Sequence, residues 1–488
     1  MNTKKIASIL MVISLTATSL LFSSCTHTHK YGEEKVSEPT CLAQGFNYHL
    51  CEYCGYLECT SEIAPVGHSF TVWKDDIRKL KKVSACDYCG FLTEDANYSE
   101  PASIPRLYAY GTPNGDEFRV ECRYETTLES KFYGMVKLDS NLSNSFYKKN
   151  YDLFVFTNDT NQIPMNVTFA DSMGSNSAYA IKAEYIDKTS VRNLSASRLW
   201  YEAIKTRNNL PVFLKTLPFL GADGGYPIIF YTNDNFNGIY NLCLPNNKLM
   251  FNLSSDRSAL IYTYTAFGEM DFRYSAGVET YVPCTVVFPE SKTGKESART
   301  KFENFMDFVN NSSDVDFKEN IHKYMDVNAA IDYLLCVYMF GADNNIVECC
   351  NWVSYDGNVF IPSLYNLTLS FGIDNSGYLK EAENTLAPRF ENGLLRSGTK
   401  YVLWEKLCAV FSDEIFERYT YLRNNVLTED KVEEVFKNNL SAIKPEIYEA
   451  EFEEYRDKKL MDCPETAEQI RTWYSEKCAI LDNVLLKK

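Results

Sequence analysis

Residues 361–372 read IPSLYNLTLSFG. From Tyr365 to Phe371 the residues alternate strictly, with Tyr365, Leu367, Leu369 and Phe371 on one side and Asn366, Thr368 and Ser370 on the other. A period of two predicts a strand with one apolar and one polar face. That polar face holds three short, neutral side chains just before a Phe-Gly exit. What it lines, and why it carries no charge, decides what the chain can do.

The chain has 488 residues, enough for two or three domains with a sizeable core. It is 45% hydrophobic and 23% charged, with 34 Tyr and 30 Phe, the profile of a folded globular protein. Sixty-five acidic residues against 49 basic ones leave a formal charge of −16 and no basic stripe, which excludes nucleic acid as a main partner. The acidic excess is densest in EIYEAEFEEYRD (446–457), read here as a solvated helix face.

Lys4 and Lys5 precede an uncharged apolar run, IASILMVISLTATSLLF (6–22), then Ser23, Ser24 and Cys25. A short positive region, a long apolar one and small residues before a break describe a secretory signal. Small residues directly before a Cys look like a bacterial lipoprotein box, although Phe22 is less usual than Leu at its first position. The expectation is a signal over 1–24 and lipid on Cys25, holding the protein on the outer face of a bacterial membrane, extracytoplasmic and at the cell surface. A retained membrane anchor is the alternative. No other run approaches the length needed to span a bilayer.

Sixteen cysteines in an exported protein normally suggest disulfides, but their distribution does not. Nine are scattered from 122 to 478 and include the adjacent pair Cys349-Cys350, which suits buried free thiols and a reducing habitat. Six cluster between 41 and 89. There CEYCGY (51–56) recurs as CDYCGF (86–91), and HKY (29–31) recurs as HSF (68–70), an internal repeat in two copies. A Cys-x-x-Cys turn presents two thiolates to one ion, with Gly letting the chain turn away behind it. In the first copy His29, Cys41, Cys51 and Cys54 are expected to hold structural zinc, with His49 a rival for one position. The second copy offers His68, Cys86 and Cys89 and is expected to bind more weakly for want of a fourth ligand. Disulfides are the competing reading of each Cys-x-x-Cys. The copies resemble small Cys/His repeats of surface proteins from anaerobic gut bacteria, with SEPTCLAQGF (37–46) and APVGHSF (64–70) carrying the likeness. Units this short need a metal or a cross-link to hold a fold.

Composition changes at NYSEPASIP (98–106), so a Cys/His-rich module over 25–100 and a larger domain over 101–488 are expected. YDLFVF (151–156) and YPIIFYT (226–232) read as buried strands, the latter followed by the hairpin loop NDNFN. AAIDYLLCVYMFG (329–341) reads as a helix capped by Asp326, and the stretches 403–427 and 468–486 as helices of a helical end over 401–488. The fold class is α+β.

Tyr147 to Tyr151 entering a strand, IKAEYIDKTSVRN (181–193) before SRLW (197–200), GADGGYP (221–227), GIYNLCLP (238–245), Asp343-Asn344, YDGNVFIPSLYNLTLSFG (355–372), LWEKL (403–407) and EQIRTW (468–473) follow one another along the chain. Taken in order, these pieces resemble one family, the spore coat protein H-like (CotH) kinases. The likeness covers about residues 105–488. It implies a divergent, rearranged protein-kinase-like domain, preceded here by a small zinc-ribbon-like module, and in active members transfer of phosphate from ATP to protein. In active relatives the stretch quoted first typically reads Tyr-Asp-x-Asp-x-x-Phe-Gly, and its polar face holds the metal. Here Asn366 and Thr368 stand at the two acidic positions.

The resemblance makes Asp343 a residual catalytic acid and Lys149 and Lys182 the candidates to contact phosphate. Asn344 belongs to the Asp-Asn pair, and Glu348, Cys349 or Asn351 matches the family's metal-site Asn. Arg192 and Asn193 are expected to pin a helix start. Mg²⁺ prefers anionic oxygen, and metal supplies much of the charge stabilisation in phosphoryl transfer, so losing both carboxylates should impair catalysis. Asp374 and Glu348 are the acids that could substitute. ATP is then expected to bind weakly and Mg²⁺ to add little. The favoured reading is a surface lipoprotein with a pseudokinase domain that binds or scaffolds an unknown surface protein or glycan. The alternatives are an active kinase of altered metal use and an adhesion or glycan-binding protein.

Overall fold

In a computed structural model the chain is described over residues 27–95, 103–112, 117–125, 129–139, 146–160, 162–170, 173–207, 209–217, 219–255, 257–263, 284–346, 348–399, 401–456 and 465–486. It divides into two compact units, Met1–Asp76 with Leu80–Tyr98, and Ile77–Lys79 with Ser99–Lys488. Cys25 and the expected signal lie outside the described residues. No helix among those described is long and apolar enough to cross a membrane.

The first unit is the sequence repeat made structural. Strands β1 (Lys35–Ser37), β2 (Gly45–Leu50) and β3 (Leu57–Ile63) form one antiparallel sheet, and β4 (Trp73–Asp76), β5 (Lys81–Ala85) and β6 (Leu92–Asp95) another. In each sheet the Cys-x-x-Cys occupies the turn between the second and third strands. Gly55 and Gly90 close those turns at φ of 72° and 71°, their amides donating to the carbonyls of Cys51 and Cys86 at 2.9 Å. A left-handed residue is required there, which is why both copies read Cys-Gly. Among the described residues of this unit, the buried apolar side chains are three cysteines, Cys41, Cys51 and Cys86. Among the described residues no hydrocarbon core stands behind these sheets.

The second unit has an ordinary core. Strands β7 (Arg106–Tyr110), β8 (Glu117–Glu125), β9 (Glu129–Leu138), β10 (Tyr151–Phe156), β11 (Ala178–Lys182), β12 (Gly225–Thr232) and β13 (Asn235–Cys243) close a barrel in the order β10-β11-β13-β12-β7-β8-β9. All neighbours are antiparallel except β12 and β7. Asn233 and Asp234, both at positive φ, make the two-residue turn between β12 and β13, as the turn-rich NDNFN suggests. A second sheet runs β15 (Cys284–Phe288), β14 (Ala259–Thr263), β16 (Cys350–Ser354), β17 (Ile361–Leu364).

Ten helices are described in this unit: α1 (Arg192–Lys205), α2 (Val212–Lys215), α3 (Lys292–Asn311), α4 (Asp314–Asn320), α5 (Val327–Phe340), α6 (Val402–Val410), α7 (Ser412–Asn425), α8 (Glu429–Ala442), α9 (Pro445–Glu454) and α10 (Ala467–Leu485). Helix α5 is the axis of the core. Asp326 caps it by accepting from the Ala329 amide at 2.9 Å, Gly341 ends it at φ 60°, and every side chain from Ala329 to Phe340 is buried. Tyr333 stacks on Trp404 of α6 at 5.5 Å between ring centres. The fold is α+β with a helical end, although the stretch 403–427 is two helices broken at Phe411 rather than one.

The larger correction falls on the opening stretch. Strand β17 stops at Leu364, and residues 365–372 form a tight turn, not a two-faced strand. Asn366 sits at φ 55° and Phe371 at φ 49°, which strand geometry forbids. The Ser370 hydroxyl donates to the Leu367 carbonyl three residues back at 2.6 Å, and Ser370 is buried while Leu369 is only half-buried. The alternation in sequence therefore does not mark two faces. A short polar Asn tolerates the left-handed bend that ends the strand.

Candidate functional site

Three segments meet around that turn. Lys182 ends β11, Glu184 follows it at φ 46°, and Asp223 lies in the loop before β12. Lys182 and Asp223 form a tight, buried ion pair, with the Lys182 ammonium 4.1 Å from the centre of the Tyr365 ring. Asn193, at the start of α1, donates to Asp223 Oδ2 at 3.2 Å and accepts the Leu367 amide at 2.7 Å, so one side chain ties the acid to the turn. Thr368 Oγ1 donates to Glu184 Oε2 at 2.5 Å and lies 3.0 Å from Asn366 Oδ1. Asn366 Nδ2 in turn faces Cys349 Sγ at 3.7 Å.

The electrostatics follow from burial. Enclosure pushes the Glu184 carboxyl up to about 7, against the pull of Lys182 and the Thr368 hydrogen bond and with help from Asp187 and Asp223. Lys182 loses by desolvation but is held charged by Asp223, Tyr365, Cys243 and Glu184, its affinity for the proton rising well above the usual lysine range. Two carboxylate oxygens here, Glu184 Oε1 and Asp223 Oδ1, are buried without a hydrogen-bond partner, as are both polar atoms of the Asn351 side chain.

A fully buried arginine fixes the turn from behind. Arg192 binds Asp187 at 2.8 Å and Glu465 at 2.8 Å, and donates to the carbonyls of Ser370 at 2.7 Å and Phe371 at 3.2 Å. Asp187 also accepts the Arg192 amide and the Thr189 hydroxyl. Arg192 therefore does more than start α1: it clamps residues 370–371.

Other expected residues go elsewhere. The Asp343 carboxylate turns to Lys380 at 2.7 Å and to the Leu386 amide at 2.8 Å, and lines a concavity of about 410 Å³ with Ile346, Leu386, Gly398, Thr399 and Tyr401. Neither Asn366 nor Thr368 lines it; their side chains bond to Cys349 and to Glu184. Asn344 Nδ2 reaches Asn375 Oδ1 at 3.5 Å. Asn351 is fully buried in β16, opposite Tyr262 and Ser363. Asp374 closes its own turn, its Oδ1 accepting the amides of Ser376 and Tyr378. Lys149 is half-buried, and the lysine taken inside is its neighbour Lys148, bound to Glu451 at 2.8 Å and to the Ala183 carbonyl at 3.1 Å.

The cysteines and histidines of the first unit form two four-member clusters. His27, His29, Cys51 and Cys54 make one, and Cys41, His68, Cys86 and Cys89 the other; within each, the ligand atoms all lie within 4.8 Å of one another. Cys41 thus leaves the set expected for the first copy and completes the second, and His27 takes its place. The reason is local. The amides of Val66 and Gly67 bond to the carbonyls of Thr40 and Cys41, so the chain entering His68 runs beside Cys41. His49 is occupied by the Gly32 carbonyl at 2.9 Å. Among the described cysteines none is in a disulfide.

Sequence reading passed over Glu184, Asp223 and His27 as site residues. His27 had a usable signal: the spacing His-x-His puts both rings on one side of an extended chain. Asp223, inside GADGGYP, had a weaker one. Glu184 had none, because only the fold brings it to Thr368.

No curated protein matches this chain. The family model described as CotH kinase protein matches residues 138–481, well over half of the chain and most of the second unit. By that match the chain belongs to the CotH kinase protein family.

Proposed function

We propose that the chain is a lipid-anchored, extracytoplasmic protein whose kinase-related domain has become a pseudokinase acting in binding or scaffolding. One observation carries the reading. At the two positions where the family places metal-holding acids stand Asn366 and Thr368, and both side chains are already engaged, with Cys349 and with Glu184. A divalent ion repays its dehydration with anionic oxygen, which neutral amide and hydroxyl groups do not offer. Lys182, the lysine that would meet a phosphate, is closed onto Asp223. The anchor rests on the N-terminal sequence alone, with Cys25 as the lipidated residue.

A second reading, an active kinase of altered metal use, is favoured by the unpartnered buried oxygens of Glu184 and Asp223, both of which act on the charge of Lys182.

Radiolabelled ATP with Mg²⁺ or Mn²⁺ separates the two. The pseudokinase reading expects no self-phosphorylation and nucleotide binding that metal barely improves. Robust transfer by the unmodified protein, abolished by Asp223→Asn or Asp343→Ala, would overturn it.

A further inference from the structure

We propose that the first unit binds two zinc ions in interlocked sites, the first repeat lending Cys41 to complete the metal site of the second. This goes beyond the kinase-related reading and is independent of it.

The distances have the right scale. With Zn–S near 2.3 Å and Zn–N near 2.0–2.1 Å, the edges of a tetrahedron of ligands measure roughly 3.3–3.8 Å. The observed edges are 3.4 Å for His27 Nε2 to Cys51 Sγ, 3.5 Å for His29 Nδ1 to Cys54 Sγ, 3.6 Å for Cys41 Sγ to Cys86 Sγ and 3.4 Å for His68 Nδ1 to Cys89 Sγ. A disulfide needs sulfurs about 2.05 Å apart, which the Cys41–Cys86 pair does not approach. Four nitrogen and sulfur donors with no carboxylate select zinc over magnesium or calcium.

The two sites share one design. His29 stacks on Tyr31 and Tyr56, and His68 stacks on Phe70 and Phe91, so each imidazole is held between two aromatic rings from its own repeat. The Cys51 amide donates to the Tyr56 carbonyl and the Cys86 amide to the Phe91 carbonyl, giving both turns the same internal bond. Each repeat therefore supplies one His and two Cys by itself and lacks a fourth ligand. His27 supplies it at the first site and Cys41 at the second. The residue standing as far before Cys86 as Cys41 stands before Cys51 is Asp76, so the second repeat passes no thiolate onward. The burial pattern gives the reason for metal: the buried apolar side chains described in this unit are the ligands Cys41, Cys51 and Cys86 themselves. Here ligand binding stands in for a hydrophobic core.

The test uses the full-length chain, purified reduced, reloaded with zinc and measured by elemental analysis and native mass spectrometry. Two ions per chain are expected. Cys41→Ser should lose the second-site ion and Cys41→His should recover it, because imidazole also ligates zinc; His27→Ala should lose the other ion. Cys59→Ser is the control, since Cys59 belongs to neither cluster. After cobalt substitution, the thiolate-to-metal absorption should fall by about three-fifths in Cys41→Ser and about two-fifths in His27→Ala, following the three and two cysteines of the sites. The proposal fails if the unmodified chain holds no zinc, if Cys41→Ser keeps both ions, or if Cys41→His does not restore the metal that Cys41→Ser loses.

Discussion

Thr368 Oγ1 lies 2.5 Å from Glu184 Oε2, joining the turn after β17 to the residue two places beyond Lys182. The turn offers a hydroxyl at this point, and a carboxyl from another segment sits against it. The pair is compatible without an ion because one partner is neutral.

Thr368→Asp should make that incompatibility visible. A half-buried carboxylate would then face the buried one of Glu184, so the variant is expected to lose about 1–3 kcal/mol without divalent ions. Mn²⁺ should return part of the loss, and Glu184→Gln in the same chain should relieve it without metal. Thermal melts with and without Mn²⁺ measure both effects; a variant as stable as the parent would show that the two side chains do not meet.

Glu184 also predicts a pH dependence. Its folded-state pKa of about 7 lies above the ordinary 4.5, so the folded protein binds more protons than the unfolded chain between those values. Stability from this group is fully present below about pH 4.5 and is lost as pH rises through 7. Glu184→Gln, which keeps an acceptor for Thr368, should be more stable than the parent by about 1–3 kcal/mol at pH 8. The two should converge near pH 5 apart from a constant offset, as urea unfolding at both pH values would show.

Arg192 holds two acids and two carbonyls with no access to water. Arg192→Met should cost roughly 3–5 kcal/mol, because Asp187 and Glu465 stay buried without their cation. Arg192→Lys should recover little, since an ammonium cannot span four acceptors in the plane of a guanidinium. Denaturant midpoints of the three proteins decide this; near-equal stability of the lysine variant would contradict the clamp.

Asp343 has a smaller role than its position in the family pattern suggests. Its ion pair with Lys380 and the bond it accepts from the Leu386 amide are both only partly buried. Asp343→Ala should cost about 1–2 kcal/mol and Asp343→Asn, which still accepts from that amide, less. A loss well above that range, read from the same unfolding curves, would mean the carboxylate holds something more than these two groups.

The sequence by itself determined the elements whose signals are local. Asp326 and Gly341 bracket α5 because a cap and a left-handed stop act on their own neighbours. Asn233-Asp234 turns β12 into β13 for the same kind of reason. The Cys-x-x-Cys-Gly turns were equally legible.

Tertiary structure decided everything that depends on which distant segment arrives. The alternation from Tyr365 to Phe371 looked like a strand, but Asn193, Arg192 and Glu184 capture its amide, carbonyl and hydroxyl groups and hold it as a turn. Lys148 rather than Lys149 went inside because Glu451, some three hundred residues later, waits there. Cys41 left its own repeat because the backbone entering His68 pairs with the backbone of Thr40 and Cys41. Spacing along a chain limits which ligands can meet. The hydrogen bonds that set one segment beside another choose among them, and those partners lie too far apart in sequence to leave a local pattern.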